Sequence, residues 1–424
     1  MDVKAIGSAL RDKSPWYWVR VAVIAMVGLL ISHWLAIRPP YWMLDFRLST
    51  YQLLTSAGSR KPQFRHIDIV QISDDEFWKG ELAGRRPTKR TYIAKLVRSI
   101  CSGGATAIAL DFDFRSPAVD GSLANHPDYE SETADLAQAV NDASARCKII
   151  LPRTLNCPNP PDGLCTSEPS VLDAYHFNPD RVSWGYINLP EDVRQVPLRR
   201  ANVDRGTLDS FAQAIAVAGA GQQPPPLAAP RRFPYGSFIA ERAFQDAGVV
   251  IQAGRALDST DHDLASIFNG NTVLIGGSWH GYAYGRGPVA DNHVTPAGLM
   301  PGIFLHANYA AAILDGRTNP PASDLLGYIL DILIVALIGV VFALPISSWR
   351  RWLWIGTVAI VLVAVTYFFW QDVGVFLEIT IPALLLLIHS LLDEYMKMRE
   401  ELVKLRIEVA NLRKRAHGRI MDGK

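Results

Sequence analysis

Four long apolar runs dominate the pattern of hydrophobic and polar positions along the chain. Each run is close to the ~20 residues that an α-helix needs to cross the hydrocarbon core of a bilayer. Trp and Tyr stand at several of the run ends, as is typical of residues at a membrane interface. The pattern therefore predicts four transmembrane helices, at residues 18–37, 325–346, 352–370 and 373–392.

Basic residues beside these runs predict which ends face the cytoplasm. The first run lacks the small-x-small cleavage site of a signal peptide, so we expect an uncleaved anchor. Lys and Arg are frequent before the first run, in the joint "SSWRRW" and after the fourth run, whereas the joint "QDVG" has none. Because cytoplasmic flanks carry the excess of Lys and Arg, residues 1–17 and 393–424 are expected in the cytoplasm and residues 40–320 outside it.

The exterior segment, residues 40–320, alternates between strand and helix patterns. Nearly continuous apolar stretches such as "ATAIALDFDF" are followed by amphipathic ones such as "ETADLAQAVNDASA". Apolar strands separated by helices are typical of a largely parallel sheet with helices on both faces. For "RVSWGYINL" and "VRQVPLRR" we expect a hairpin or a local antiparallel addition instead. The segment is predicted to be an α/β extracytoplasmic domain.

Composition agrees with this organisation. Hydrophobic residues make up 49% of the chain, and the net charge of +1 gives no argument for nucleic-acid binding. All four cysteines lie in the exterior segment, where an oxidising compartment permits disulfides in three possible pairings. Cys157 and Cys165 flank a turn-rich stretch and are the favoured pair, while Cys101 and Cys147 would meet if the helices before them are neighbours. A zinc site is the alternative, although the chain has no C-x-x-C pair.

Three polar strand ends, in residues 73–77, 111–117 and 276–282, are expected to share one cleft. In open α/β sheets, ligands bind beyond the carboxyl ends of the strands. The alternative is that these carboxylates have structural roles, capping helices or pairing with arginines such as Arg90 or Arg115. Residues 291–296, the histidine loop, would then be a rigid loop whose side chains bond to backbone. If a ligand site exists, we expect it to use these acidic ends and the histidine loop: Asp74, Asp75, Asp111, Asp113, Asp291, His293 and His306.

The pattern Asp111-x-Asp113 also resembles the carboxylate pairs that hold Mg²⁺ or Mn²⁺, which makes a metal-dependent enzyme one interpretation. However, the chain has no recognised nucleophile context and no G-x-G-x-x-G or Walker pattern. We therefore expect no enzymatic activity, no cofactor and no resident metal.

Three ionisable residues fall in the outer halves of predicted spans: His33 in the first, Asp331 in the second and Glu378 in the fourth. Charged groups inside a bilayer are costly and are usually paired or functional. We expect these three to pair across the helices and to couple the exterior domain to the membrane bundle. Interfacial snorkelling is the alternative.

The C-terminal tail has apolar residues at alternating spacings of three and four, with Glu, Lys and Arg around them. This pattern predicts a short coiled coil that dimerises or docks on a partner. A basic amphipathic stretch lying on anionic lipid is the alternative. The seam consists of Tyr395, Met398, Leu402, Leu405, Val409 and Leu412.

Several segments in this order resemble a known family, the type-two CHASE domain. They are "IDIVQISDDEFWKG", "RRPTKRTYIAKLV", "GATAIALDFDFRSP", "WGYINLPEDVRQVPL" and "DNHVTP…MPGIFLHANYAAAILDGR". The resemblance implies an extracytoplasmic sensory domain of the kind associated with bacterial cyclases, histidine kinases and other signalling proteins, with one span before it and three after it. It departs from the family pattern in that residues 393–424, rather than an output domain, follow the last span.

The resemblance and the topology together predict a membrane sensor of the bacterial inner (plasma) membrane. It would detect an unidentified extracytoplasmic ligand and pass the signal through its spans to a cytoplasmic effector protein, as a homo-oligomer joined by the coiled coil. The alternative is a structural subunit of a cell-envelope complex that senses nothing, and the third interpretation is the metal-dependent enzyme at Asp111 and Asp113.

Overall fold

The structure is a computed structural model. It describes most of residues 64–115, 128–157, 164–189, 199–219, 241–315 and 348–369, together with residues 401–409 and single positions elsewhere. The chain divides into two compact units. The first is Leu48–Pro320, and the second combines Met1–Arg47 with Pro321–Lys424.

The first unit is built around strands that are apolar at nearly every position, as expected for a sheet buried on both faces. Six of its strands form one sheet in which every pairing is parallel. In chain order the strands of the unit are β1 (Ile67–Ile72), β2 (Ala107–Asp111), β3 (Lys148–Arg153), β4 (Leu155–Asn156), β5 (Thr166–Ser167), β6 (Val182–Tyr186), β7 (Arg200–Val203), β8 (Gly206–Asp209), β9 (Val250–Gln252), β10 (Thr272–Gly277), β11 (His280–Tyr282), β12 (Arg286–Val289), β13 (Asn292–Thr295) and β14 (Gly298–Pro301).

Helices cover both faces of this sheet, whose strand order is β6-β3-β2-β10-β1-β9. A short 3-10 helix spans Val171–Ala174. The α-helices are α1 (Asp74–Lys79), α2 (Arg90–Ser102), α3 (Tyr129–Ser144), α4 (Phe211–Gly219), α5 (Glu241–Asp246), α6 (Ala253–Asp258), α7 (Asp261–Phe268), α8 (Gly302–Leu314) and, in the second unit, α9 (Ser348–Phe368).

The alternation of side chains along the strands divides the core into two layers. In β1, Val70 and Ile72 face the layer formed by α2, α3, α6 and α7. Ile67 and Ile69 face the opposite layer, formed by α4, α5 and α8. The predicted α/β architecture, with a largely parallel sheet and helices on both faces, is confirmed.

One strand differs from the sequence prediction. The antiparallel pairing expected for "RVSWGYINL" is wrong, because β6 lies parallel to β3 at the edge of the main sheet. The antiparallel hairpin of this region is formed instead by β7 and β8. The polar positions within β6 misled the prediction, since an edge strand is less completely buried than a central one.

The second unit contains one helix with defined bounds, α9, which overlaps the predicted span at 352–370. In the part of the chain that the structure describes, no helix combines the length and the apolarity required to cross a membrane. The predicted spans at 18–37, 325–346 and 373–392 lie outside the described residues except for single positions.

Two disulfides close the first unit. The Sγ atoms of Cys101 and Cys147 are 2.05 Å apart, and those of Cys157 and Cys165 are 2.11 Å apart. Cys101 lies in the last turn of α2, and Cys147 follows α3, the helix that packs beside α2. This adjacency is the condition under which the sequence predicted the longer-range pairing.

The two disulfides are expected to differ in their contribution to stability. They join residues separated by 46 and by 8 positions, and a cross-link that closes a longer loop removes more entropy from the unfolded chain. We expect Cys101→Ser/Cys147→Ser to cost about 4 kcal/mol and Cys157→Ser/Cys165→Ser about 2.5 kcal/mol. Thermal unfolding of the full-length variants, followed by near-ultraviolet circular dichroism, checks the order. Equal or reversed shifts in the midpoint would contradict it.

Candidate ligand-binding site

A cavity of about 780 Å³ opens at the carboxyl ends of the parallel strands. Asp111 ends β2 and Gly277 ends β10, and both line it. Thr154 and Ile187, which follow β3 and β6, form another part of the wall. The cavity thus lies where an open α/β sheet is expected to bind a ligand, and its volume is typical of small-molecule sites.

Asp111, which lines the cavity, forms a buried pair with His306. Oδ1 of Asp111 is 3.8 Å from Nε2 of His306, and the two side chains are only 9% and 4% exposed. Burial raises the pKa of Asp111 well above its usual range and lowers the pKa of His306 to about 4. Both shifts disfavour the charged form of the group concerned, because burial removes an ion from water.

Asp291 and His293 form the rim beside this pair. Nε2 of His293 is 2.9 Å from Oδ1 of Asp291. Asp291 adopts a left-handed conformation with φ of +55°, which an Asp tolerates better than most residues. His293 belongs to β13, which pairs with β14 in the hairpin that leads into α8. The predicted histidine loop is therefore a hairpin held by a carboxylate–imidazole contact.

Gly302, the first residue of α8, makes room for Asp291. A Cβ atom at position 302 would lie 1.9 Å from Oδ2 of Asp291. The N–H of Gly302 also donates a hydrogen bond of 2.8 Å to the carbonyl oxygen of Asp291. The carboxylate thus lies at the amino end of a 13-residue helix, where the helix dipole favours a negative charge.

Asp113 also lines the cavity, but its charge is already balanced. Its Oδ1 accepts a 3.0 Å hydrogen bond from the N–H of Arg115, and its Oδ2 accepts one of 2.6 Å from Nε of the same residue. This is the structural alternative that the sequence left open for the carboxylate. In the described part of the chain, no group of three His, Cys, Asp or Glu side chains is placed to hold a metal ion.

Asp74 and Asp75 lie apart from the other candidates. They line a second cavity of about 410 Å³ beside α1, so the single cleft expected from the sequence is divided in two. Asp74 accepts a 2.7 Å hydrogen bond from the N–H of His280 and lies 2.5 Å from its Nδ1. Asp75 forms an exposed ion pair with Lys79. Both carboxylates therefore have structural partners.

Arg86 and Arg90 are lining residues that the sequence did not identify as ligand contacts. Arg90 is the first residue of α2 and is only 2% exposed. Its guanidinium donates hydrogen bonds to the hydroxyls of Thr133 and Tyr129 in α3. The sequence signal for this wall was the run Pro87-x-x-Arg90, which lies within one of the segments that carry the family resemblance.

The predicted coupling residues His33, Asp331 and Glu378 lie outside the described residues. For the tail, residues 401–409 are helical, and the structure describes every predicted seam residue except Leu412. The described seam side chains are all exposed; they are those of Tyr395, Met398, Leu402, Leu405 and Val409.

Comparison with known proteins identifies the family. A protein-family model described as the CHASE2 domain matches residues 21–341, more than half of the chain. No curated protein and no solved structure matches it.

The contact between Asp291 and Gly302 can be tested with a double-mutant cycle. We expect Gly302→Ala to destabilise the domain by about 1–3 kcal/mol, because the new methyl group overlaps the carboxylate. In the background of Asp291→Gly, which removes the carboxylate and accepts the positive φ, the same change should have little effect. Urea unfolding of the four proteins measures the coupling. Additive losses of stability would show that the cost of a side chain at position 302 does not come from its contact with Asp291.

His306 is expected to make stability depend on pH. Its pKa of about 4 in the folded state is below the ordinary value of 6.5, so the unfolded chain binds more protons between these values. The stability contributed by the neutral imidazole is complete above pH 6.5 and is lost as the pH falls towards 4. Relative to His306→Gln, the wild type should lose roughly 3 kcal/mol across that window. Urea midpoints between pH 4.5 and 7.5 measure this difference, and parallel profiles would contradict it.

Proposed function

Since the chain belongs to the CHASE2 domain family, whose members are sensory extracellular domains of signalling proteins, we propose that it is a membrane sensor. It lies in a bacterial inner membrane, with residues 40–320 outside the cytoplasm and both termini inside. An extracytoplasmic ligand binds the α/β domain, and the spans pass the change to a cytoplasmic effector protein. The protein acts without enzymatic activity, cofactor or resident metal of its own.

The cavity at the carboxyl ends of β2 and β10 is the observation that carries this proposal. Charged and polar side chains from separate parts of the chain converge on it, among them Arg90, Asp113 and His293. An assembly surface would need an exposed apolar face, whereas this site is a recessed cavity lined by both polar and apolar side chains. The cavity therefore favours sensing over the alternative, a structural subunit of an envelope complex.

The output side of the proposal depends on the pattern of the sequence. The apolar runs at 18–37, 325–346, 352–370 and 373–392 supply the spans, and His33, Asp331 and Glu378 couple them to the domain. The heptad seam continues the last run, and two tail helices packed along it join two copies of the chain or dock on the effector. A ligand shifts such an assembly only if it binds the two arrangements with different affinity.

The tail offers a matched pair of variants that tests this output. Leu402 and Leu405 belong to the seam, whereas Val403 and Ile407 are equally exposed apolar residues off it. We expect Leu402→Asp/Leu405→Asp to abolish assembly and effector capture, because it places unpaired charges in a packed interface. Val403→Asp/Ile407→Asp should retain both. Native mass spectrometry of full-length protein extracted gently from its host membrane is the measurement.

Two results of that experiment would count against the proposal. If both double variants assemble like the wild type, the seam is not the route of the signal. If the wild type forms a homo-oligomer without any cytoplasmic protein, the structural subunit becomes the better interpretation.

A further inference from the structure

One wall of the 780 Å³ cavity carries more positive than negative charge. This arginine cluster consists of Arg85, Arg86 and Arg90. Among the described residues, Glu132 is the carboxylate that contacts it. Oε1 of Glu132 accepts a 2.5 Å hydrogen bond from the guanidinium of Arg85, and Oε2 accepts one of 3.0 Å from the backbone N–H of Arg90. Glu132 therefore balances Arg85 and leaves two guanidinium groups.

Neither of those two guanidinium groups donates to a carboxylate in the described part of the chain. Arg86, which is exposed, donates a 2.8 Å hydrogen bond to the carbonyl oxygen of Gly281. Arg90 donates to the hydroxyls of Tyr129 and Thr133, which are neutral. Glu132 also acts electrostatically on Arg90, but it already forms an ion pair with Arg85. The cluster therefore carries more guanidinium than carboxylate charge.

Arg90 makes this imbalance significant because it is almost completely buried. A guanidinium remains protonated in proteins, and a buried one that shares the Glu132 carboxylate with Arg85 is incompletely compensated. The rings of Tyr129 and Phe114, at 3.8 Å and 5.7 Å from its central carbon, offset part of that cost. An anion in the cavity would offset the remainder.

The carboxylates that line the cavity each contact another group. Asp113 is held by Arg115 in an ion pair, and Asp291 contacts His293 at the rim. Asp111 lies 3.8 Å from His306. The cavity thus combines arginine side chains with an apolar and aromatic lining, which consists of Phe112, Phe114, Ile93 and Trp279.

We propose that the cavity binds a small organic anion, with its carboxylate or phosphate group against Arg86 and Arg90 and its apolar body against Phe114 and Trp279. The planar guanidinium of arginine matches both anionic groups. The volume of the cavity suits a ligand of this size. The inference rests on the proposed sensing function and gives its extracytoplasmic signal a chemical class.

Isothermal titration of the full-length chain in lipid nanodiscs, with empty nanodiscs as the blank, tests this assignment. The probes are benzoate, phenyl phosphate and benzamide, because benzamide has the shape of benzoate without its charge. We expect at least one of the two anions to bind saturably and benzamide to bind at least tenfold more weakly, roughly the effect of one charge-assisted hydrogen bond. The two anions distinguish a carboxylate ligand from a phosphate ligand.

Two variants and a control locate the binding. Arg86→Gln removes the charge of an exposed residue and keeps a side-chain donor, and Arg90→Lys keeps the charge but loses the planar fork. We expect each variant to raise the dissociation constant of the anion about tenfold. Arg255→Gln, an exposed arginine on α6 outside the cavity, should bind like the wild type.

The inference is overturned if neither anion binds saturably, if benzamide binds as tightly as the anions, or if both cavity variants bind like the wild type. The tail variants report on assembly and effector capture without any ligand. A failure of anion binding together with an intact tail result would therefore reject the ligand class alone, whereas failure of the tail result rejects the proposed function.

Discussion

A parallel sheet covered by helices on both faces confines polar chemistry to the ends of its strands, and the α/β domain is organised by that constraint. Within β1, β2 and β10, nearly every side chain is buried among apolar neighbours. Polar side chains stand near the points where the chain enters or leaves the sheet, such as Asp68, Asp111 and Ser73. The two cavities described above lie at the carboxyl-terminal exits of these strands.

The same constraint explains the unusual pairing of Asp111 with His306. Asp111 lines the cavity and contacts His306, and both side chains are buried enough that an ion would lose much of its hydration. Burial accordingly raises the pKa of Asp111 and lowers the pKa of His306, which disfavours the charged form of each group. Gly276, whose added Cβ would meet both Ile303 and Asp111, brings β10 close to α8 at this point. Polar groups are thus accommodated here by shifts in pKa and by close packing.

The fold of the α/β domain could be predicted from the sequence because the patterns that specify its strands and helices are local. Apolar strands such as β10 and amphipathic helices such as α2 carry their periodicity within a few turns of chain. The direction of β6 could not be predicted in this way, since pairing direction depends on a partner elsewhere in the chain. Residues Asp113 and Asp291 were recognised as candidates by their type and position, but Arg86 and Arg90 were not. Their importance comes from a surplus of guanidinium groups over carboxylates, since Glu132 is already paired with Arg85. Such an imbalance appears only when distant segments are brought together.

The disulfide between Cys101 and Cys147 has a mechanical consequence. It joins the carboxyl ends of α2 and α3, while Arg90 contacts Tyr129 and Thr133 where the two helices begin. The two helices are therefore linked near both ends, which restrains their motion relative to each other. We expect a displacement at Arg90 to move α2 and α3 together against the sheet, so that it also shifts the carboxyl ends of both helices.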